Sequence, residues 1–129
     1  MKTKRRFGQT LGYIETHLEE EITLDALARQ AGLSKYHFHR LFRREMGEPV
    51  QQYIRRRRME QAAAQLAETG RPILEIALDC RYASQEAFSR AFQRMYTLTP
   101  GKYRRLFAPG KQNVVRMAAS AHQIRDLAA

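Results

Sequence analysis

Apolar residues recur every three to four positions along almost the whole chain, the spacing of one face of an α-helix. Leu11, Ile14 and Leu18 set the rhythm of a first helix over about 7–20. Thr23 is placed to cap a short second helix that runs through Ala31, with Asp25 in its first turn. Gly32 follows, where a tight turn can use positive φ. Ser34 caps the next helix, which Gly47 and Pro49 stop after Met46. Val50, Tyr53, Ile54, Ala62, Ala63 and Leu66 describe a longer helix over 50–68, closed by Gly70. At ~1.5 Å per residue it is roughly 28 Å long. Pro72 suits the first position of another short helix carrying Ile73, Ile76 and Ala77. Ser84 caps a further helix, and Pro100 opens a last one with Tyr103 and Leu106. Past Phe107 the run "APGKQN" breaks the pattern. Val114, Met117, Ala118, Ala121 and Ile124 leave both an ordered helix and a frayed tail open for 108–129. The fold class is all-α.

Part of this pattern occurs twice. "SKYHFHRLFRREMG" starts at Ser34 and "SQEAFSRAFQRMYT" at Ser84, and both contain Phe-x-Arg-x-Phe. Phe38, Arg40, Phe42 and Arg44 pair with Phe88, Arg90, Phe92 and Arg94. Tyr53 pairs with Tyr103 and Arg55 with Arg105 at the same interval, while Leu27-Ala28 pairs with Ile76-Ala77 at one residue less. The second copy therefore has one extra residue in its turn. Caps, paired aromatics and the downstream tyrosine keeping one register argue for an internal duplication, each copy a short helix, a turn and a longer helix.

On a helical wheel, Phe38, Leu41 and Phe42 share an apolar arc, and Tyr36, His39, Arg40 and Arg43 lie on the opposite side. The second copy divides alike, with Phe88, Ala91 and Phe92 inward and Glu86, Ser89, Arg90 and Gln93 outward. The phenylalanines are core residues. The outward faces begin at a helix N-terminus just after a short helix and turn, which is helix-turn-helix geometry. Arg can bond guanine O6 and N7 together, Gln can do so to adenine, and Glu can accept from cytosine N4. A single surface arginine is more often solvated or on a phosphate; two aligned ones on two such helices point to groove contact.

Charge sharpens this. The 129 residues include 23 Lys and Arg against 13 Asp and Glu, a net +10. That excess suits a polyanionic partner, double-stranded DNA or an anionic membrane surface, without choosing between them. With 43% hydrophobic residues, a core is affordable but thin, so two halves should be joined rigidly. The single cysteine, Cys80, excludes an internal disulfide and fits a reducing cytosol. No apolar run follows the basic N-terminus, so no signal peptide is expected, and none reaches the length of a membrane helix. His37 and His39 stand two apart and cannot share a metal as an i,i+4 pair would, so no metal site is expected. No nucleophile elbow, phosphate loop or carboxylate pair suggests an enzyme, and no cofactor is implied. Arg55, Arg56, Arg57 and Arg58 fan around a helix rather than forming one stripe; one or two are expected to meet phosphate or an acidic partner, the rest water.

The stretch from about 9 to 107 resembles the paired helix-turn-helix domain of AraC/XylS-type bacterial transcription regulators. The resemblance rests on "LARQAGLSKYHFHRLFRREMG", "YIRRRRMEQAAAQL", "PILEIALDCRYASQEAFSRAF" and "TPGKYRR". Within the family it is most similar to the short MarA and SoxS proteins and the DNA-binding part of Rob. The resemblance implies seven helices in two subdomains, 1–49 and 70–107, joined by a linker helix at 50–69. It implies a monomer on an asymmetric site, with two recognition helices in adjacent major grooves. Carried over by position, Tyr36, His39 and Arg40 would read bases in the first groove, and Gln85, Glu86, Ser89 and Arg90 in the second. Ser34, Lys35, Arg43, Arg44, Arg55, Gln93, Arg94 and Lys102 would meet the DNA backbone. Relatives more often carry tryptophan at Tyr36, glutamine at His39 and Glu86, threonine at Ser89 and lysine at Gln93, so sequence preference should differ. Arg81 stands where many relatives have a turn glycine. The resemblance also implies an activator that recruits RNA polymerase in the bacterial cytoplasm, at the nucleoid. With no sensor region apparent, no small-molecule effector is expected.

Spacing agrees independently: adjacent grooves on one DNA face lie ~34 Å apart. Any mismatch left to the DNA costs on the order of 1–6 kcal/mol of bending. Two rival readings remain open at this level. One is a basic helical module that docks a protein, and the other a nucleoid-type binder without sequence choice.

Overall fold

The computed structural model describes residues 2–108; the segment left open between an ordered helix and a frayed tail lies, from residue 109 on, outside the described residues. Seven helices and no strand occur among them: α1 Lys2–Thr16, α2 Leu24–Ala31, α3 Lys35–Met46, α4 Val50–Glu68, α5 Ile73–Asp79, α6 Gln85–Tyr96 and α7 Pro100–Phe107. The chain forms two compact units, one ending at Met59 and the other beginning at Glu60, so the division falls within α4.

In the first unit α2 packs on α1 and on α3. Its core gathers Ile14, Leu18, Leu27, Phe38, Phe42 and Ile54. Phe42 is fully buried and meets Phe7 at 5.2 Å, Phe38 at 6.0 Å and, edge-on, Tyr53 at 5.5 Å. In the second unit α6 packs on α5 and α7. There Phe92 meets Phe88 at 5.7 Å and, edge-on, Tyr103 at 5.3 Å. The two Phe-Phe-Tyr clusters keep the sequence register, so the duplication is a duplication of packing. Tilted and edge-on aromatic pairs add roughly 0.5–1.5 kcal/mol each beyond their burial.

The turns repeat as well. Leu33 N–H donates to Ala28 O at 2.9 Å and Gly32 N–H to Arg29 O at 3.1 Å. Tyr82 N–H donates to Ala77 O at 3.1 Å and Arg81 N–H to Leu78 O at 3.0 Å. This is the Schellman pattern, which needs a left-handed residue. Gly32 takes it at φ 71°, but in the second copy Arg81 does so at φ 70°. A glycine is likewise replaced at the end of the second recognition-type helix. Gly47 sits at φ 76° and Thr97 at φ 62°, each donating to the carbonyl four residues back. A Cβ in this region costs about 1–2 kcal/mol, and β-branched Thr97 is the less suited.

Three boundaries depart from the periodicity. The first helix starts earlier and stops at Thr16, not near residue 20. Lys and Arg are good helix formers, which extends its start. At its end Thr16 Oγ1 donates to Gly12 O at 3.2 Å, and His17 Nδ1 lies 2.7 Å from Tyr13 O. These side chains take up the last carbonyls, and Leu18 is buried from the turn that follows. Pro72 is the N-cap of α5 rather than its first helical residue, with Ile76 N–H bonding its carbonyl at 3.2 Å. Gly70 lies outside the left-handed region and closes α4 without that conformation.

Arg81→Gly should raise unfolding free energy, because relief of the strained φ exceeds the roughly 0.5–1 kcal/mol entropy cost of glycine. The net gain expected in urea denaturation is a few tenths to about 1 kcal/mol. Gly32→Arg, the reciprocal change, should lose stability.

Candidate nucleic-acid interface

α3 and α6 begin in the same way. Ser34 Oγ accepts from His37 N–H at 3.1 Å and Ser84 Oγ from Ala87 N–H at 3.1 Å. Each cap keeps its own hydroxyl hydrogen as a spare donor. Phe38, Leu41 and Phe42 on α3, and Phe88 and Phe92 on α6, are buried, which turns the other face of each helix outward.

On α3 that face carries Tyr36, 71% exposed, with Lys35, Arg40, Arg43 and Arg44 exposed and His39 half-buried. The Arg40 guanidinium lies 5.4 Å from the centre of the Tyr36 ring, one turn away. Contact of this kind restricts an otherwise mobile arginine and leaves its fork of donors free at the edge. Lys35 Nζ is 3.3 Å from Asp25 Oδ1 of α2, and Arg44 Nε is 3.7 Å from Glu45 Oε1. Asp25 thus orients Lys35, a role that no spacing in the sequence displayed.

On α6, Gln85, Glu86, Arg90, Gln93 and Arg94 are exposed and Ser89 is half-buried. No aromatic residue stands one turn before Arg90; Glu86 does. Lys102 is exposed in the first turn of α7, where Thr99 caps by accepting the Lys102 N–H at 3.3 Å. The structure therefore gathers Tyr36, His39, Arg40 and Arg43 on one face, and Glu86, Ser89, Arg90 and Gln93 on another.

Of the arginine run, one or two are expected to meet phosphate or an acidic partner and the rest water; two do meet carboxylates, both within the chain, but a third is bonded to backbone carbonyls. Arg56 donates through Nε and Nη2 to Glu48 Oε1, at 3.2 and 3.0 Å. Arg57 donates to both oxygens of Glu15, at 2.6 and 2.9 Å. Arg58 donates to the carbonyls of Leu18 and Glu20, each at 2.7 Å, just beyond the end of α1. Arg55 alone of the four is exposed and makes no side-chain hydrogen bond or ion pair among the described residues. The Arg57 hydrogen bonds hold the Glu15 carboxyl below its ordinary value of 4.5, outweighing partial burial, which pushes it up. Burial raises the Tyr53 phenol, assisted by the neighbouring Glu15 charge.

Among the described residues, no group of three or more His, Cys, Asp or Glu could hold a metal ion, and no helix is long and apolar enough to cross a membrane.

A family model described as "Helix-turn-helix domain" matches residues 27–106. The chain is 39% identical over 104 residues to the regulatory protein SoxS of Escherichia coli K12, covering 81% of this chain and 97% of SoxS. The chain belongs to the AraC-type helix-turn-helix regulators. It is also 46% identical over 104 residues to the uncharacterized regulator YbfP of Bacillus subtilis, covering 81% of this chain and 35% of YbfP. The right origin-binding protein of E. coli K12 is 44% identical over 93 residues, 72% of this chain and 32% of that protein. This AraC-type chain thus spans about a third of the length of those two longer relatives. Among solved structures, the DNA-binding domain of the global transcriptional factor AdpA, in complex with a target DNA, superposes with a TM-score of 0.70 at 28% identity. That match covers 76% of this chain and 88% of AdpA's. These relatives are regulators with helix-turn-helix domains, not enzymes.

Alanine at Arg58 should be the most damaging change in the run, because two carbonyls lose their donor; about 1–2 kcal/mol is expected. Arg56→Ala should cost less, and Arg55→Ala should fall within about 0.5 kcal/mol of wild type in chemical denaturation. For Glu15 the sign follows from a folded pKa below the unfolded one. Its stabilisation is present in full above pH 4.5 and disappears as pH falls through the lower folded value. The stability gap between wild type and Glu15→Gln, under ~1 kcal/mol for a pair this exposed, should therefore be present at pH 7 and close in acid.

Proposed function

We propose that this chain is a sequence-specific DNA-binding transcription activator. It reads an asymmetric site as a monomer, with α3 and α6 in adjacent major grooves and α4 as the linker between two helix-turn-helix subdomains. The observation that supports it most is the pair of outward faces. Two helices share one buried Phe-Phe frame and one cap, yet expose different polar sets: Tyr36, His39 and Arg40 on one, Gln85, Glu86, Ser89 and Arg90 on the other. A repeat kept for packing alone has no need of two exposed, aligned arginines. Two unlike recognition helices on one chain require no palindrome, whereas a two-fold dimer does.

In this reading Arg40 and Arg90 each take a guanine, and the Tyr36 ring lies against a neighbouring pyrimidine. Ser34, Lys35, Arg43, Arg44, Arg55, Gln93, Arg94 and Lys102 hold the backbone and set register. RNA polymerase is the partner at the promoter and the bacterial cytoplasm the compartment, both inferred from the family.

The test is selection of bound genomic fragments followed by footprinting and salt titration. One protein should protect about two helical turns without two-fold symmetry. Arg40→Ala and Arg90→Ala should relax different halves of the site by ~1–3 kcal/mol each. Arg55→Ala should leave sequence preference intact and reduce the salt slope by about one. Equal loss on random DNA from the two recognition-helix variants would overturn base reading.

A further inference from the structure

We propose that a hollow between α1, the α2–α3 turn and α3 binds a small organic monocarboxylate with a compact hydrocarbon body. The hollow measures about 110 Å³. Phe7, Phe38 and Leu41 give it an apolar floor, and Thr10, only 3% exposed, presents a hydroxyl in its wall. That hydroxyl donates to Arg6 O at 3.0 Å, so its hydrogen is committed within the protein and the donors left for an anion are those of the rim. The rim carries Arg6, His37 and Arg44, and no Asp or Glu lines the hollow among the described residues.

Arg6 and Arg44 bring two fixed positive charges to one opening, with the His37 imidazole beside them, and an anion between the arginines relieves their repulsion. Arg6 is steadied by donation from Nη1 to Ala31 O at 3.3 Å, and Arg44 by the loose contact with Glu45. Neither bond places a negative charge inside the rim. An inorganic anion would satisfy the rim and leave the apolar floor wet; a neutral hydrocarbon would fill the floor and leave the cations facing each other. A carboxylate on a hydrocarbon body answers both. Size limits the body: an apolar cavity of ~150 Å³ takes a benzene ring. The hollow here accommodates part of a six-carbon ring or short chain, with the carboxylate at the open rim.

Arg44 is also one of the proposed DNA-backbone residues, so a seated carboxylate would compete with phosphate there. That consequence rests on the DNA reading; the binding itself does not, and it is tested on the free protein. The probes are cyclohexanecarboxylate and hexanoate, with cyclohexylmethanol as neutral isostere and sodium chloride as ionic control. They are titrated into the full chain while backbone amide shifts and calorimetric heats are followed. Saturable one-site binding is expected, centred on Ala31, Leu33 and Leu41. The carboxylate should bind at least about tenfold tighter than the alcohol, the size of one charge-assisted hydrogen bond. Arg6→Gln, a surface change, should weaken it several-fold, and Thr10→Leu, which fills the wall, should abolish it. Both variants are first checked by thermal melting; if Thr10→Leu does not fold, Arg6→Gln decides alone. Linear, non-saturating shifts, equal affinity for acid and alcohol, or binding unmoved by Arg6→Gln would each overturn the proposal.

Discussion

Tyr53 approaches the Phe42 ring edge-on, and fifty residues later Tyr103 approaches Phe92 in the same way. Each contact joins a recognition-type helix to the helix that follows it. With Phe42 fully buried between Tyr53, Phe38 and Phe7, α3 can rotate about its axis only by exposing a phenylalanine. The orientation of Tyr36 and Arg40 toward solvent is therefore a consequence of where the rings go. The same holds for Arg90 above Phe88 and Phe92. The copies differ around the tyrosines: the Tyr53 hydroxyl reaches toward Glu15 at 3.5 Å, while Tyr103 is stacked on Phe107 at 4.2 Å. Burial raises the phenol pKa in both.

A net +10 overstates the cation available to a polyanion. Arg56, Arg57 and Arg58 serve the first unit, and Arg71 is held by Asp79 at 2.7 Å and Glu75 at 3.6 Å. Arg104 donates to Leu66 O at 3.1 Å within the second unit. The exposed cations among the described residues are those on α3 and α6, Arg55 and Lys102, together with Arg6, Arg29, Arg81 and Arg105 away from the candidate reading faces. Arginine suits both uses because its planar fork grips a carboxylate or a pair of carbonyls as readily as a guanine edge.

Much of the fold was legible because the signals were local. Thr23, Ser34 and Ser84 act as caps where the spacing placed them, and 50–68 is one helix. The end of α1 differs because side chains reaching carbonyls decide it. Thr16 and His17 end α1 while the apolar rhythm runs on to Leu18. Thr97 gave no hint of a left-handed residue; its equivalence to Gly47 was the signal available, and it required trusting the repeat over the residue type.

The sequence by itself determined the helical segments, the duplication and which face of each repeated helix is buried. Each of these follows from residue spacing within a few turns, where periodicity and capping act. Only the tertiary structure decided which cations are bonded internally, since Arg57 meets Glu15 and Arg58 meets Leu18 across some forty residues of chain. It also decided that Asp25 orients Lys35, and that Arg6, His37 and Arg44 surround one hollow. Such pairings depend on where separate helices come together, and a helical period carries no information about that.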